Sequence, residues 1–112
     1  MRSFILNENE MNELAKRQPT PFLVLSVDKV AENYAFLRKH LPRAGIYYAI
    51  KANPFLVEGL RDQVERLEIC SPGESEICDG LGIDPKMTVI SGVNKTPGFI
   101  EKLVQSTQGR IY

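Results

Sequence analysis

A continuous apolar run in the middle of the chain is followed by a lysine and, three residues later, by a proline: Ile46-Tyr47-Tyr48-Ala49-Ile50-Lys51-Ala52-Asn53-Pro54. Such a continuous run is typical of a strand that is covered on both faces, as in a parallel sheet wrapped by helices. Because side chains alternate along a strand, Tyr47, Ala49 and Lys51 are predicted to share one face. The small side chain of Ala49 leaves room on that face for a guest beside the amine.

The Lys51 side chain has two interpretations. A lysine sheltered at a strand end loses solvation, which favours the neutral, nucleophilic amine that Schiff-base chemistry requires. A lysine at a strand end can instead keep its charged head in water while its methylenes pack. Physical chemistry alone favours the second interpretation.

After this strand the chain repeats a unit of strand, capping residue, proline and helix. Strands are predicted to begin near residues 46, 68, 88 and 110, which are 20 to 22 residues apart. Helices are predicted over residues 55 to 66, 73 to 81 and 98 to 107, and each is entered by the same signal: Asn53-Pro54, Ser71-Pro72 and Thr96-Pro97. The repeat predicts an α/β fold with a parallel sheet and right-handed crossovers.

The length of the chain limits how much of such a fold it can contain. Four strand–helix units are half of an eight-stranded β/α (TIM-type) barrel, and 112 residues are far fewer than the about 250 of a complete one. Before the repeat, we predict a helix over residues 8 to 18 and a strand over residues 22 to 27. We also predict a helix over residues 29 to 41, capped by Asp28 and stopped by Pro42. We therefore expect an N-terminal helix and an orphan strand in residues 1 to 27, then a truncated half-barrel in residues 28 to 112.

The composition excludes several classes of function. Lysine plus arginine equals aspartate plus glutamate at 14 each, so nothing favours nucleic acid or a membrane surface as a partner. No apolar run approaches the ~20 residues of a membrane span, and the polar start does not resemble a secretory signal. Cys70 and Cys78 make neither a disulfide framework nor a metal pattern, and we interpret both as core residues. His40 is interpreted as a solvated residue at a helix end. We expect a cytoplasmic protein.

Four segments in order resemble the fold-type III pyridoxal-phosphate enzymes, that is, the diaminopimelate, ornithine and arginine decarboxylases, with alanine racemase more distant. Tyr47 to Asn53 is similar to their Y-A-V/I-K-A/C-N motif, and Thr20 to Leu25 to their opening T-P-x-x-V/L. Glu68 to Glu74 is similar to D-x-x-S-x-x-E, and Ile90 to Thr96 to G-x-N-K-S/T. The resemblance runs from about Thr20 to the end of the chain.

The resemblance implies roles for individual residues. Lys51 is implied to be the catalytic lysine that holds the aldehyde carbon of pyridoxal 5'-phosphate and later transfers a proton. Ala49 and Glu68 are implied to lie beside the cofactor. Glu68 is one methylene longer than the family's aspartate, so a solvated strand residue is an equal alternative. Ser71 and Glu74 have the spacing of a capping box, which we favour over a role in the site.

In such barrels the chemistry lies at the carboxyl ends of the strands, so a rim of polar and small residues is predicted there. The predicted rim consists of Lys51, Asn53, Cys70, Ser71, Gly73, Gly92, Asn94 and Lys95.

The resemblance also implies a reaction. We expect the N-terminal part of a lyase that releases CO₂ from the α-carbon of a basic or diamino acid, acting as a homodimer on a small amino-acid substrate. The alternatives are an amino-acid racemase with the same cofactor and a non-catalytic relative that binds a partner. The family's glycine-rich phosphate loop, the glutamate that pairs with the pyridine nitrogen and the C-terminal β-domain are implied to lie beyond residue 112, so the chain alone is expected to be inactive.

Overall fold

A computed structural model of the chain describes residues 6 to 106 and 110 to 111. The elements alternate between helix and strand from the middle of the chain onward. In order they are α1 (Glu8–Arg17), α2 (Val27–His40), β1 (Tyr47–Ala49), α3 (Val57–Leu60), β2 (Arg66–Ile69), α4 (Pro72–Gly80), β3 (Thr88–Ile90), α5 (Pro97–Ser106) and β4 (Arg110–Ile111).

The strands form one parallel four-stranded sheet in the order β1-β2-β3-β4. Each strand begins within two residues of its predicted start, and the order is that of the chain. The register aligns Ala49 with Glu68 and Glu68 with Val89, so these three residues lie side by side across the sheet. The prediction of a parallel α/β sheet is therefore confirmed.

The two faces of the sheet differ in what covers them. Leu67, Ile69 and Ile90 point toward the helices and belong to the hydrophobic core, which also includes Val57 and Leu60 of α3. Because side chains alternate along a strand, the residues between them point the other way. We call this opposite side the interior face, and it carries Tyr47, Ala49, Arg66, Glu68, Cys70, Val89 and Ser91.

Helix α2 packs against α3 at a glycine. A Cβ atom on Gly59 would lie 2.8 Å from both Cγ atoms of Val27, so only glycine permits this approach without a shift. Helix α2 begins at Val27, two residues before its predicted start. Its cap is Ser26 and not Asp28 as predicted, because the Ser26 hydroxyl accepts the Lys29 N–H at 3.2 Å.

The predicted strand over residues 22 to 27 is wrong. Residues 22 to 26 have no regular secondary structure, and Val27 already belongs to α2. A strand requires a neighbour whose backbone groups pair with its own, and in the described part of the chain no strand pairs with this segment. The Leu23 side chain is accordingly 94% exposed.

The predicted helix over residues 55 to 66 is also wrong in its length. Pro54–Leu56 forms a 3₁₀ turn and α3 ends at Leu60, after which residues 61 to 65 reverse the chain. Strand β2 begins at Arg66, so the reversal must be complete by then. Four apolar residues with the spacing of one helical stripe are all buried: Val57, Leu60, Val64 and Leu67. Val64 nevertheless lies in the reversal and Leu67 in β2.

The remaining helices agree with their predictions within one residue at each described end. Residue 107, the predicted end of α5, lies outside the described residues. Helix α2 ends at His40, just before Pro42, with Arg38, Lys39 and His40 in its last turn. Positive side chains there complement the negative end of the helix dipole.

Candidate active site

Lys51 lies just beyond β1 and is exposed to solvent. The strand ends at Ala49, and Ile50–Ala52 forms a single 3₁₀ turn. Ile50 is fully buried at 0% exposure, whereas Lys51 points outward. The predicted strand is therefore too long, because it ends at Ala49 and a turn separates it from Lys51. The exposed Lys51 side chain agrees with the favoured interpretation of a lysine whose head lies in water.

The backbone on both sides of Lys51 is nevertheless held in place. The Tyr48 hydroxyl donates to the Asn53 carbonyl at 2.8 Å, which ties the strand to the far end of the turn. Burial raises the pKa of Tyr48 above its ordinary value, so this hydroxyl keeps its proton. The Asn53 side chain accepts the Phe55 N–H at 3.1 Å and starts the next turn at Pro54, as predicted. The lysine thus sits on a fixed loop with an exposed side chain.

Glu68 lies in the middle of the interior face rather than in solvent. It is the third residue of β2, is half-buried, and aligns with Ala49 of β1. Its carboxylate accepts a hydrogen bond from the Ser91 hydroxyl, and the Cys70 Sγ atom lies 3.4 Å from the same hydroxyl. The interpretation of Glu68 as a solvated residue at a strand opening is therefore wrong. The expectation that Cys70 is a core residue is also wrong, because its thiol lies in this polar cluster.

The Ser71–Glu74 capping box is confirmed in one half and wrong in the other. The Ser71 hydroxyl accepts the Glu74 N–H at 3.3 Å, as a cap should. The Glu74 carboxylate, however, accepts the N–H of Cys70 at 2.8 Å and not that of Ser71. Its other oxygen accepts from the Ser71 hydroxyl at 3.2 Å. The carboxylate thereby links the end of β2 to the first turn of α4.

Gly92 brings the end of β3 against the end of β2. Its φ angle is +80°, and a Cβ atom on it would lie 3.1 Å from the Cβ atom of Cys70. One residue earlier, the Ser91 N–H donates to the Ile69 carbonyl at 2.9 Å and extends the ladder past β3. Ser91 was not among the predicted rim residues, although alternation from Val89 would have placed it on the interior face.

Four further residues singled out from the sequence lie outside this polar cluster. Asn94 is exposed and Lys95 half-buried in the irregular segment between β3 and α5. Cys78 is 2% exposed in the core as predicted, and burial, assisted by Asp79 and Glu74, raises its thiol pKa to about 11. His40 is exposed as predicted, with Nδ1 2.8 Å from the Phe36 carbonyl oxygen.

Two kinds of feature are missing from residues 6 to 106 and 110 to 111. Within this part of the chain no group of three or more metal-ligating side chains comes together. The same residues contain no helix that is long and apolar enough to cross a membrane.

Comparison with known proteins identifies relatives of the chain. No family model matches it. It is 52% identical over 86 residues to the lysine/ornithine decarboxylase of Selenomonas ruminantium, a match covering 75% of this chain and 22% of that protein. It is 37% identical over 98 residues to the diaminopimelate decarboxylase of Aquifex aeolicus, a match covering 86% of this chain and 23% of that protein.

Solved structures give the same relation. A crystal structure of the Selenomonas ruminantium lysine decarboxylase matches with a TM-score of 0.87 and 42% identity, covering 99% of this chain and 31% of that one. A structure of SrLDC with PLP and cadaverine matches with a TM-score of 0.75 and 37% identity, covering 99% and 35%. The chain spans about a quarter of the length of the two decarboxylases matched by sequence above. By sequence and by structure it is homologous to the fold-type III pyridoxal-phosphate decarboxylases, matching the N-terminal part of the lysine/ornithine and diaminopimelate enzymes.

Proposed function

We propose that this chain is the N-terminal part of a pyridoxal-phosphate-dependent decarboxylase that acts on a basic or diamino acid, with Lys51 as the residue that holds the cofactor. The observation that carries the proposal is the 52% identity to a lysine/ornithine decarboxylase. That match is supported by the position of Lys51 in its motif, directly after β1 and at the carboxyl edge of the sheet. The second relative is a diaminopimelate decarboxylase. Lysine, ornithine and diaminopimelate each carry a second amino group, which suggests the substrate class.

The residues around Lys51 fit a carbonyl cofactor. The amine is exposed, so an aldehyde can approach it. Ala49 offers only a methyl group on the interior face, and the Glu68 carboxylate aligns with it across the β1–β2 ladder. When bound, pyridoxal phosphate supplies the electron sink that the loss of CO₂ from an α-carbon needs.

Each of the three residues then has a role that its position supports. The Lys51 amine would hold the cofactor, and it stands where it could carry a proton to or from the α-carbon of a bound substrate. Ala49 leaves space beside the strand. The Glu68 carboxylate attracts positive charge on this face and so orients the groups around it.

We further propose that the four strands are the first half of an eight-stranded barrel. Both outer strands have a neighbour on one side only in the described chain, and the interior face is uncovered at Tyr47, which is 38% exposed. Four further strands would pair with these edges and cover the interior face.

The family relation also motivates the remaining parts of the proposal. The enzyme would act on a small amino-acid substrate, in the cytoplasm and as a homodimer. The equal numbers of positive and negative side chains, 14 each, give no basis for a nucleic-acid partner. The 112-residue chain would be inactive alone, since it spans only about a quarter of its relatives.

The test is covalent capture of the cofactor. The full-length protein is loaded with pyridoxal phosphate and reduced with borohydride, and the modified peptide is mapped by mass spectrometry. We expect the label on Lys51, and its loss in Lys51→Arg. The control is Lys95→Arg, which removes another predicted rim lysine and should keep the label on Lys51. A label on a different lysine, with Lys51 unmodified, would overturn the assignment.

The substrate class is tested separately by CO₂ release. Lysine, ornithine and meso-diaminopimelate are supplied to the loaded enzyme, with leucine as an amino acid that lacks the second amino group. Faster turnover of leucine than of all three would contradict a basic or diamino substrate while leaving the cofactor assignment intact.

A further inference from the structure

One hydroxyl group on the interior face has no role in the function proposed above. Ser91 follows β3 directly, is half-buried, and donates a hydrogen bond to Oε1 of Glu68. Its sequence position is 23 residues from Glu68, so the contact exists only because β2 and β3 are neighbours in this register. The Ser91 hydroxyl is therefore the group that meets the carboxylate of a candidate site residue.

The position of the Ser91 hydroxyl is set by the backbone on both sides of it. On one side, the Ser91 N–H is bonded to the Ile69 carbonyl at 2.9 Å. On the other side, Gly92 turns the chain at φ +80°, with its α-carbon packed so closely against Cys70 that an added Cβ would lie 3.1 Å away. A donor held in this way can orient a partner that is less constrained.

The Glu68 side chain is such a partner. A glutamate reaches its carboxylate through several rotatable bonds, so the backbone alone does not determine where the charge lies. A hydrogen bond to one oxygen limits these conformations, and an ionised carboxylate can still accept at its remaining lone pairs. One anchored oxygen thus leaves the other available to a positively charged group.

We propose that Ser91 is a positioning residue, whose hydroxyl holds the Glu68 carboxylate on the interior face at the level of Ala49, beside the strand that leads into Lys51. The proposal rests on the function proposed above and adds to it a residue that acts through Glu68 and not on the cofactor directly. A purely structural role for Ser91, as a tie between β2 and β3, is the competing explanation that the experiment must separate.

The experiment compares side chains of matched shape. Ser91→Thr keeps the hydroxyl and adds one methyl group, and Ser91→Val has the shape of that threonine with a methyl group in place of the hydroxyl. The Thr and Val variants therefore differ by the hydrogen bond alone, even if Ser91→Ala fails to fold. In the full-length, cofactor-loaded enzyme, Ser91→Val should lower kcat by about tenfold to a hundredfold, the equivalent of one hydrogen bond to a charged group. Ser91→Thr should recover most of that loss, and KM should change by less than about threefold.

A second comparison tests whether Ser91 acts through Glu68. Glu68→Gln removes the charge while keeping the shape. In that background Ser91→Val should lower kcat by no more than about twofold further, because residues that act as one unit are not additive. The control is Thr88→Val, which removes a hydroxyl of the same strand that donates to the Pro85 carbonyl at 2.7 Å on the core side. It should lower stability and leave kcat unchanged.

A third measurement does not depend on activity. In the cofactor-free protein, chemical unfolding of wild type, Ser91→Val, Glu68→Leu, which removes both acceptor oxygens, and the double variant should show coupling between the two sites. The positioning role is overturned if Ser91→Val keeps wild-type kcat, if Ser91→Thr fails to recover it, or if Ser91→Val costs as much in the Glu68→Gln background as in wild type. Failure of the Lys51 label would instead overturn the proposed function, and the unfolding cycle would still report whether the Ser91–Glu68 bond exists.

Discussion

Replacing Gly92 by alanine should destabilise the chain by about 1–5 kcal/mol, for two independent reasons. The φ angle of +80° lies in the left-handed region, where a residue with a Cβ atom costs about 1–2 kcal/mol. The new Cβ would also lie 3.1 Å from the Cβ of Cys70 and 3.4 Å from its Cα and carbonyl oxygen. Overpacking of this kind costs about 1–3 kcal/mol, and the loss of chain entropy in the unfolded state returns about 0.4–1 kcal/mol.

Two other glycines separate these contributions in equilibrium urea unfolding. Gly82 has a φ of +64° and open space around it, so Gly82→Ala should show the backbone cost without the packing cost, about 0–1.6 kcal/mol after the same return of chain entropy. Gly73 has neither a positive φ nor a neighbour within 4 Å, so Gly73→Ala should be neutral or stabilise by up to about 1 kcal/mol. All variants are compared at one protein concentration, because association changes apparent stability. Equal midpoints for the Gly92 and Gly82 variants would refute the packing argument, and a Gly92 variant as stable as the Gly73 variant would refute both parts.

Three further predictions concern the cap, the buried thiol and the open sheet. Ser71→Ala should lower the free energy of unfolding by about 0.5–2 kcal/mol and change cofactor affinity less. The control Asn7→Ala removes the cap of α1 and should cost little, because α1 buries no residue. A large loss of affinity with unchanged melting would make Ser71 a ligand. Burial raises the pKa of the Cys78 thiol to about 11, so the unfolded chain loses this proton first as the pH rises above about 8.5. The free energy of unfolding should therefore fall between about pH 8.5 and pH 11, and Cys78→Ala should flatten that fall. Identical pH profiles of wild type and variant would contradict this prediction. Sedimentation of the 112-residue chain at several concentrations should show association through the outer edges of β1 and β4, and binding of pyridoxal phosphate should be weak or absent. A stable monomer at low concentration would refute the association. Tight binding of the cofactor would refute the second expectation.

The parallel sheet could be predicted because its signals are local. Ser71 followed by Pro72 marks the start of α4 through interactions within one turn, and the Ser71 hydroxyl does accept the Glu74 N–H. Strand starts recur every 20 to 22 residues, with such a helix start between each strand and the next, and this repeat indicates four strands that run in parallel. Nothing distant in the chain is needed for this inference.

The errors arose where the outcome depends on a distant partner. Residues 22 to 27 are apolar enough for a strand, but a strand exists only with a paired neighbour, and in the described chain none pairs with this segment. Val64 and Leu67 are buried as their apolar character requires, but burial in a chain reversal and in a strand produces the same pattern as a helical stripe. Hydrophobic spacing therefore predicted which residues are buried better than it predicted their secondary structure.

The candidate site shows the same division between local and distant information. Lys51 and Glu68 could be selected from their motifs, but the Ser91 hydroxyl that meets Glu68 is contributed by another strand, and only the register of β2 with β3 brings it there. The surroundings of the Lys51 side chain also depend on residues that are distant in the sequence. The Lys51 backbone is held by the hydrogen bond between Tyr48 and Asn53, whereas its side chain is exposed in the described part of the chain. The local sequence thus determines where the Lys51 amine stands, and what surrounds that amine depends on residues that are distant in the sequence.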